Sequence, residues 1–158
     1  MLKVVEIMAR IRAIHSSAKR YHWQCNGPQF QGDHLLFDKI ADTFTEDDVD
    51  ALAESWYMKD GRQSIGELNE LDLLVPKFVT PIFNEELLYD KNSDTLMFKY
   101  LRDAIQELIG LLNTDIFGQG IHAKFDEMVQ KYDAICGQID GRIALQTKPK
   151  VFSRLNLN

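Results

Sequence analysis

The chain has 158 residues and a formal net charge of −6, with 45% apolar and 27% charged residues. That length and composition predict one soluble globular domain with room for a sizeable core. The acidic balance disfavours a surface wrapped around nucleic acid, whose phosphates call for Lys and Arg, and suits an acidic concavity that draws in cations.

The opening stretch, MLKVVEIMARIRAIH, has no long apolar run because Arg10 and Arg12 interrupt it; neither a signal peptide nor a membrane span is expected. Val4, Met8, Ile11, His15, Ala18 and His22 step by three or four, which predicts a first amphipathic helix. Asn26-Gly27-Pro28 stops it. A second helix is expected over 30–57. Residues 60–93 follow, with Gly61, Pro76, Pro81 and a short helix candidate over 64–71. So long a connection is unusual unless it crosses over a bundle. A third helix is expected over 94–117, from Met97, Leu101, Ala104, Leu108 and Leu112. The fourth has the cleanest pattern, Ile121, Phe125, Met128, Tyr132, Ile135, Ile139 and Ile143, and the turn Gly118-Gln119-Gly120 makes it antiparallel to the third.

Short loop, long crossover, short loop is the connectivity of ferritin-like bundles. The predicted fold is therefore all-α: a ferritin-like four-helix bundle over 1–147, its second and third helices parallel and its crossover carrying a short extra helix. The tail over 148–158, KPKVFSRLNLN, has three positive and no negative charges. A strap over its own bundle or a neighbouring subunit is favoured over a DNA-contacting arm, so DNA binding is expected to be weak or absent. Cys25 and Cys136 lie far apart and form no CxxC pair. Reduced intracellular thiols, and with them a cytoplasmic location, are expected in place of a disulfide or zinc site.

His34 and Asp38 are four apart and share a helix face. Asp50 and Glu54 repeat that spacing further along the same predicted helix, and His22 sits near the end of the preceding one. Two imidazoles and three carboxylates suit Fe(II), with Mn(II) or Zn(II) as substitutes, better than Ca or Mg. Anionic oxygen also stabilises ferric iron. Taken singly each group has an ordinary reading. His122/Asp126 is a surface hydrogen bond, EDDVD a solvated helix face, His15 a helix-face residue. No histidine has a Glu three residues before it, which argues against an in-bundle di-iron site and leaves one between subunits.

His22-Trp23, Gly27, Phe30, His34, Phe37-Asp38 and Asp50-x-x-Ala53-Glu54 together resemble the signature of the Dps mini-ferritins. The spacing from His22 to His34 to Asp38 matches that family's pattern without a gap. The resemblance implies an iron site at a twofold interface, with His22, His34 and Asp38 of one subunit facing Asp50 and Glu54 of a second copy. It also implies Trp23 beside the site, for which core packing with some exposure is an equal account. The implied assembly is a homo-oligomer, a dodecameric shell among the forms open to it. The implied activity is that of a ferroxidase, which oxidises Fe(II) with peroxide or oxygen and stores or detoxifies the ferric product.

One departure bears on that site. Between Asp38 and Asp50 the chain has one residue more than the family pattern. A helix turns about 100° per residue, so the extra residue would swing Asp50 and Glu54 off the metal face. The apolar stripe slips in step: Phe37, Ile40 and Phe44 call for an apolar residue at Asp48, and the stripe resumes one place late at Val49, Leu52 and Trp56. A π-bulge or local kink is the favoured remedy; the alternative is a helix break with Thr45 capping a new start through Thr-Glu-Asp-Asp, a box-like signal. With neither, the alternatives are Glu46, Asp47 or Asp50 as substitute ligands, or a weakened or lost site. The same departure motivates the alternative function, a ferritin-like structural or interaction protein whose metal site has decayed.

Overall fold

A computed structural model describes residues 1–27, 29–59, 62–83, 87, 93–114 and 117–147. The described residues are helical, with no strand among them. In order they form α1 Val4–Gln24, α2 Phe30–Thr43, α3 Glu46–Leu52, a π-helical segment Ala53–Met58, a 3₁₀ stretch Ile65–Glu70, α4 Leu71–Val79, α5 Asp94–Leu112 and α6 Gln119–Thr147. Pro28 of the expected break and the tail over 148–158 lie outside the described residues. No described helix is long and apolar enough to cross a membrane.

The contact register gives each helix its direction. Along α1 and α2 the pairs run Lys19–Asp38, His15–Ala41, Arg12–Glu46 and Val5–Tyr57, descending on one side while ascending on the other, so the two are antiparallel. Thr95–Gln146 and Arg102–Asp140 make α5 and α6 antiparallel in the same way. Asp33–Arg142 and Asp48–Lys131 do so for α6 and the α2–α3 stretch. Gly27–Asp94 and Arg10–Glu107 do so for α1 and α5. It follows that α2 and α5 are parallel, as the long connection predicts, with Phe37 and Phe98 stacked between them at 4.1 Å.

The stripes read from the sequence are the buried faces. Ile121, Phe125, Met128, Tyr132, Ile135, Ile139 and Ile143 of α6 are all buried, as are Met97, Leu101, Leu108 and Leu112 of α5. Helix α1 is buried on more than one face (Val5, Ile7, Met8, Ala9, Ile11 and Ile14 among others) because α4 covers the side that α2 and α5 leave open. The short helix expected over 64–71 is longer. Its 3₁₀ turn runs on into α4, which holds Pro76 and buries none of its own residues fully. The third helix stops at Leu112, short of the expected 117.

The expected second helix over 30–57 is not continuous. It breaks at Phe44 and Thr45, which leave helical backbone at φ −105°, ψ 86° and φ −109°, ψ 161°. The one-place slip of the apolar stripe is thus taken up at the break, the alternative remedy, with Thr45 at the N-cap position but making no side-chain capping bond, while π-helical turns appear only downstream. The break is held from both sides. Arg12 grips Glu46 at 2.6 and 2.9 Å, and Tyr132 Oη and Lys131 Nζ donate to Asp48 at 2.6 and 2.7 Å. Asp48 therefore occupies a buried place where the periodicity calls for an apolar residue, stabilised by a tyrosine hydroxyl and an ammonium. The π segment brings Tyr57 across to α1. Its hydroxyl accepts the Val5 N–H at 2.9 Å, one of the helix's first, otherwise unpaired donors, and donates to Glu67 at 2.9 Å.

Candidate metal centre

Because α1 and α2 are antiparallel, the last turn of one meets the first turns of the other, and His22 faces His34. The rings stack with centroids 3.7 Å apart and planes 20° from parallel. Each ring is tied to the other's backbone: His22 Nδ1 lies 2.7 Å from the His34 carbonyl oxygen, and His34 Nδ1 lies 2.8 Å from that of His22. A carbonyl only accepts, so each Nδ1 carries a hydrogen and, in the neutral ring, each Nε2 keeps its lone pair. No described residue hydrogen bonds to either Nε2.

Both carbonyls are available for local reasons. His22 lies in the last turn of α1, where carbonyls have no helical donor; the Asn26 N–H, four residues on, goes to Asp94 Oδ1 at 3.4 Å. The His34 carbonyl lies inside α2 and offers its second lone pair. His15, one heptad before His22, repeats the device with Nδ1 2.8 Å from the Ala41 carbonyl. It is a helix-face residue, as expected, but one committed to its neighbour's backbone.

The α1–α2 connection that sets this register is pinned by buried carboxyl groups. Asp94, at the start of α5, accepts the Gly27 N–H at 3.1 Å. A Cβ on Gly27 would stand 2.8 Å from Asp94 Oδ2, so a side chain there would push the carboxyl away from the Gly27 N–H. Asp33 accepts from Arg142 Nε at 2.7 Å and Gln146 Nε2 at 2.8 Å. Burial, and then the hydrogen bond with Asp33, push the Asp94 carboxyl up to about 6. Nearby Cys25 is buried and its thiol is pushed up to about 12, chiefly by burial; Cys136 is pushed up to about 11 for the same reason. Both are protonated at neutral pH and chemically quiet.

Asp38 lies one turn beyond His34 and half-exposed. Lys19 Nζ reaches its carboxylate at 2.5 Å and holds it below the usual carboxylate range, with smaller contributions from His22 and His34. This ion pair is absent from the sequence reading, although the signal was present: Lys19 stands three residues before His22 and four after His15, on the histidine face of α1. Phe30 stacking on His34 at 5.1 Å, an i,i+4 pair, was legible in the same way.

Asp50 and Glu54 are exposed, on α3 and the π segment. Asp50 is sixteen residues beyond His34, roughly 24 Å along the helix direction, so one chain does not bring the five residues together. Among the described residues no three His, Cys, Asp or Glu side chains converge where a metal ion would fit. Of the further acidic residues, Asp48 is committed to Tyr132 and Lys131, Glu46 to Arg12, and Asp47 is exposed. Trp23 is 71% exposed, more than a core-packing role requires, and with Phe30 and Leu35 it leaves apolar surface at the helix ends that carry the histidines. No protein-family model, curated protein or solved structure matches the chain.

Proposed function

We propose that the protein is a Dps-like mini-ferritin: a ferritin-like four-helix bundle that binds Fe(II) between two copies, oxidises it with peroxide or oxygen, and stores or detoxifies the ferric product. The observation that carries this reading is the stacked His22–His34 pair, with each Nδ1 held by a carbonyl and each Nε2 uncommitted. Ligating histidines are oriented by such a bond at the other ring nitrogen. Two imidazoles beside a carboxylate select a transition ion over Ca or Mg. The parallel α2 and α5 joined by a long crossover support the ferritin-like plan.

Asp38 completes one half of the site, and the exposed Asp50 and Glu54 of the partner subunit supply the other. Exposed Trp23, Phe30 and Leu35 offer apolar surface for that copy to cover. Iron is the substrate. Histidine nitrogens hold the ferrous ion, carboxylate oxygens favour the ferric one, and a peroxide molecule takes one electron from each of two ferrous ions and, with two protons, leaves as water.

Anaerobic Fe(II) titration followed by peroxide tests the reading. Saturable binding and accelerated oxidation are expected in the assembled protein, with affinity falling at least about tenfold in the double variant His22→Ala, His34→Ala. The double variant Asp50→Asn, Glu54→Gln is expected to fail as well. Co-assembly of the two inactive variants restores one intact site per mixed dimer if the ligands come from different copies; no recovery rejects a shared site.

A second reading has its own observation. Lys19 already neutralises Asp38, the arrangement of a ferritin-like structural or interaction protein whose metal site has decayed. Unchanged assembly, metal content and peroxide protection in the double histidine variant would select it.

A further inference from the structure

At the other end of the molecule, about 27 Å along α1 from His22, the π segment opens a cavity of about 250 Å3 lined by Ser55, Trp56, Lys59, Phe117, Gly120 and Ile121. Its walls are aromatic. Trp56 meets Phe117 edge-on at 5.3 Å, and Phe117 meets Phe125 edge-on at 5.9 Å. A second cavity, of about 270 Å3, shares Trp56 and Phe117 as walls.

The polar groups of the first cavity are donors in excess. Among the described residues the Lys59 ammonium has no carboxylate within ion-pair distance, and the Trp56 indole N–H has no acceptor. Ser55 spends its hydroxyl hydrogen on the Ala51 carbonyl at 2.6 Å. Among the described residues no carboxylate lines the cavity, although the chain as a whole carries a net charge of −6. The described lining thus carries one ammonium and one indole N–H beside the Trp56 and Phe117 rings. Pockets that recognise small molecules combine apolar walls with a few convergent polar groups, and this volume lies just below their usual range of about 300–1,000 Å3. The π-helical backbone that presents Ser55 and Trp56 is rare, and such turns recur at functional sites.

We propose that this cavity binds a small aromatic carboxylate, its ring against Trp56 and Phe117 and its carboxylate at Lys59 and the Trp56 N–H. A carboxylate supplies an acceptor for each of these donors. A ring-sized skeleton fills the apolar part, and ring-on-ring contact favours an aromatic one. The site lies far from the histidine pair and stands whether or not iron binds there.

The test uses the full chain carrying Trp23→Phe. The sequence has two tryptophans, so the emission of this variant comes from Trp56 alone. Sodium benzoate is expected to change that emission saturably, and uncharged benzyl alcohol, of nearly the same shape, to do so with an affinity about fivefold weaker, the size of an exposed charge pair. Adding Lys59→Met, a change at an exposed position, is expected to erase the difference between the two probes. Acetate, which has the charge without the ring, is expected to produce no saturable change. A linear, unsaturable response to benzoate overturns the proposal. Equal affinities for benzoate and benzyl alcohol, or an unchanged difference in the Lys59→Met protein, overturn it as well.

Discussion

The two ends of the stretch from Phe30 to Met58 show how far a helical pattern in a sequence carries. In its first half the helix is unbroken, and the spacing of Phe30, His34 and Asp38 puts them on one face opposite His22. In its second half, past the break at Phe44 and Thr45, the same i,i+4 spacing leaves Asp50 and Glu54 in solvent, and Asp48 takes the buried place. Periodicity transmits a face only as long as the backbone keeps turning at its regular angle. Two residues of non-helical backbone reset the phase for everything downstream.

The sharpest way to break this comparison is to remove what holds the second half in its reset phase. Asp48→Ala strands the Tyr132 hydroxyl in the core and leaves Lys131 without its partner. A loss of about 2–4 kcal/mol in chemical denaturation is expected, the scale of an orphaned buried polar group with a broken ion pair. A loss near zero would mean that the break stands without Asp48.

The pinned connection of the first half has a pH signature. Asp94 is raised from 3.8 to about 6 by burial and by Asp33, so the folded chain holds a proton that the unfolded chain releases. Its contribution to stability is fully present below about 4 and is lost as the pH rises through about 6. Asp94→Asn keeps a neutral side chain in place with no proton to lose. The variant is expected to flatten the stability profile between pH 4 and 6, with the loss of one backbone bond, because its amide nitrogen cannot accept from Asn26 or Gly27 as a carboxyl oxygen does. An unchanged profile would remove Asp94 as its source.

The smallest expected effect on stability is at the Lys19–Asp38 pair. Both side chains are about a third exposed, so solvent screens the pair and Lys19→Met costs little. Asp38 is held low by Lys19, and the stability from this pair is present above the carboxyl's unfolded value and lost as the pH falls through its folded one. The variant should therefore differ from the parent at neutral pH and converge with it in acid. It also separates the two functional readings. An Asp38 that ligates iron, freed of Lys19, should raise Fe(II) affinity severalfold; a structural Asp38 should leave metal binding unchanged.

Most of the fold was legible because helix–helix packing needs only a stripe at the right spacing, and α1, α5 and α6 show it without interruption. The parallel run of α2 and α5 followed from loop lengths alone. The slip of one residue was also legible, through Asp48 falling on the apolar stripe. Its remedy was not, since bulge and break both restore phase, and the choice rests on partners from other helices, Arg12 on Glu46 and Tyr132 on Asp48. At the candidate site the histidine spacing placed His22 and His34 on facing sides of α1 and α2. The stacking, the reciprocal bonds to backbone carbonyls and the Lys19 contact depend on where α1 and α2 sit against each other.

What the amino-acid order determined by itself is local and periodic: which residues share a face, where helices stop, which helices can be neighbours. What only the tertiary structure decided is the commitment of each polar group. It turned both imidazoles inward by Nδ1, gave Asp38 to Lys19, and placed a carboxylate in the core at Asp48. The physical reason is that a hydrogen bond or ion pair forms only within about 3–4 Å of a partner. The helix rise and turn set distances to that accuracy along one helix, but between helices the packing of the whole core sets them.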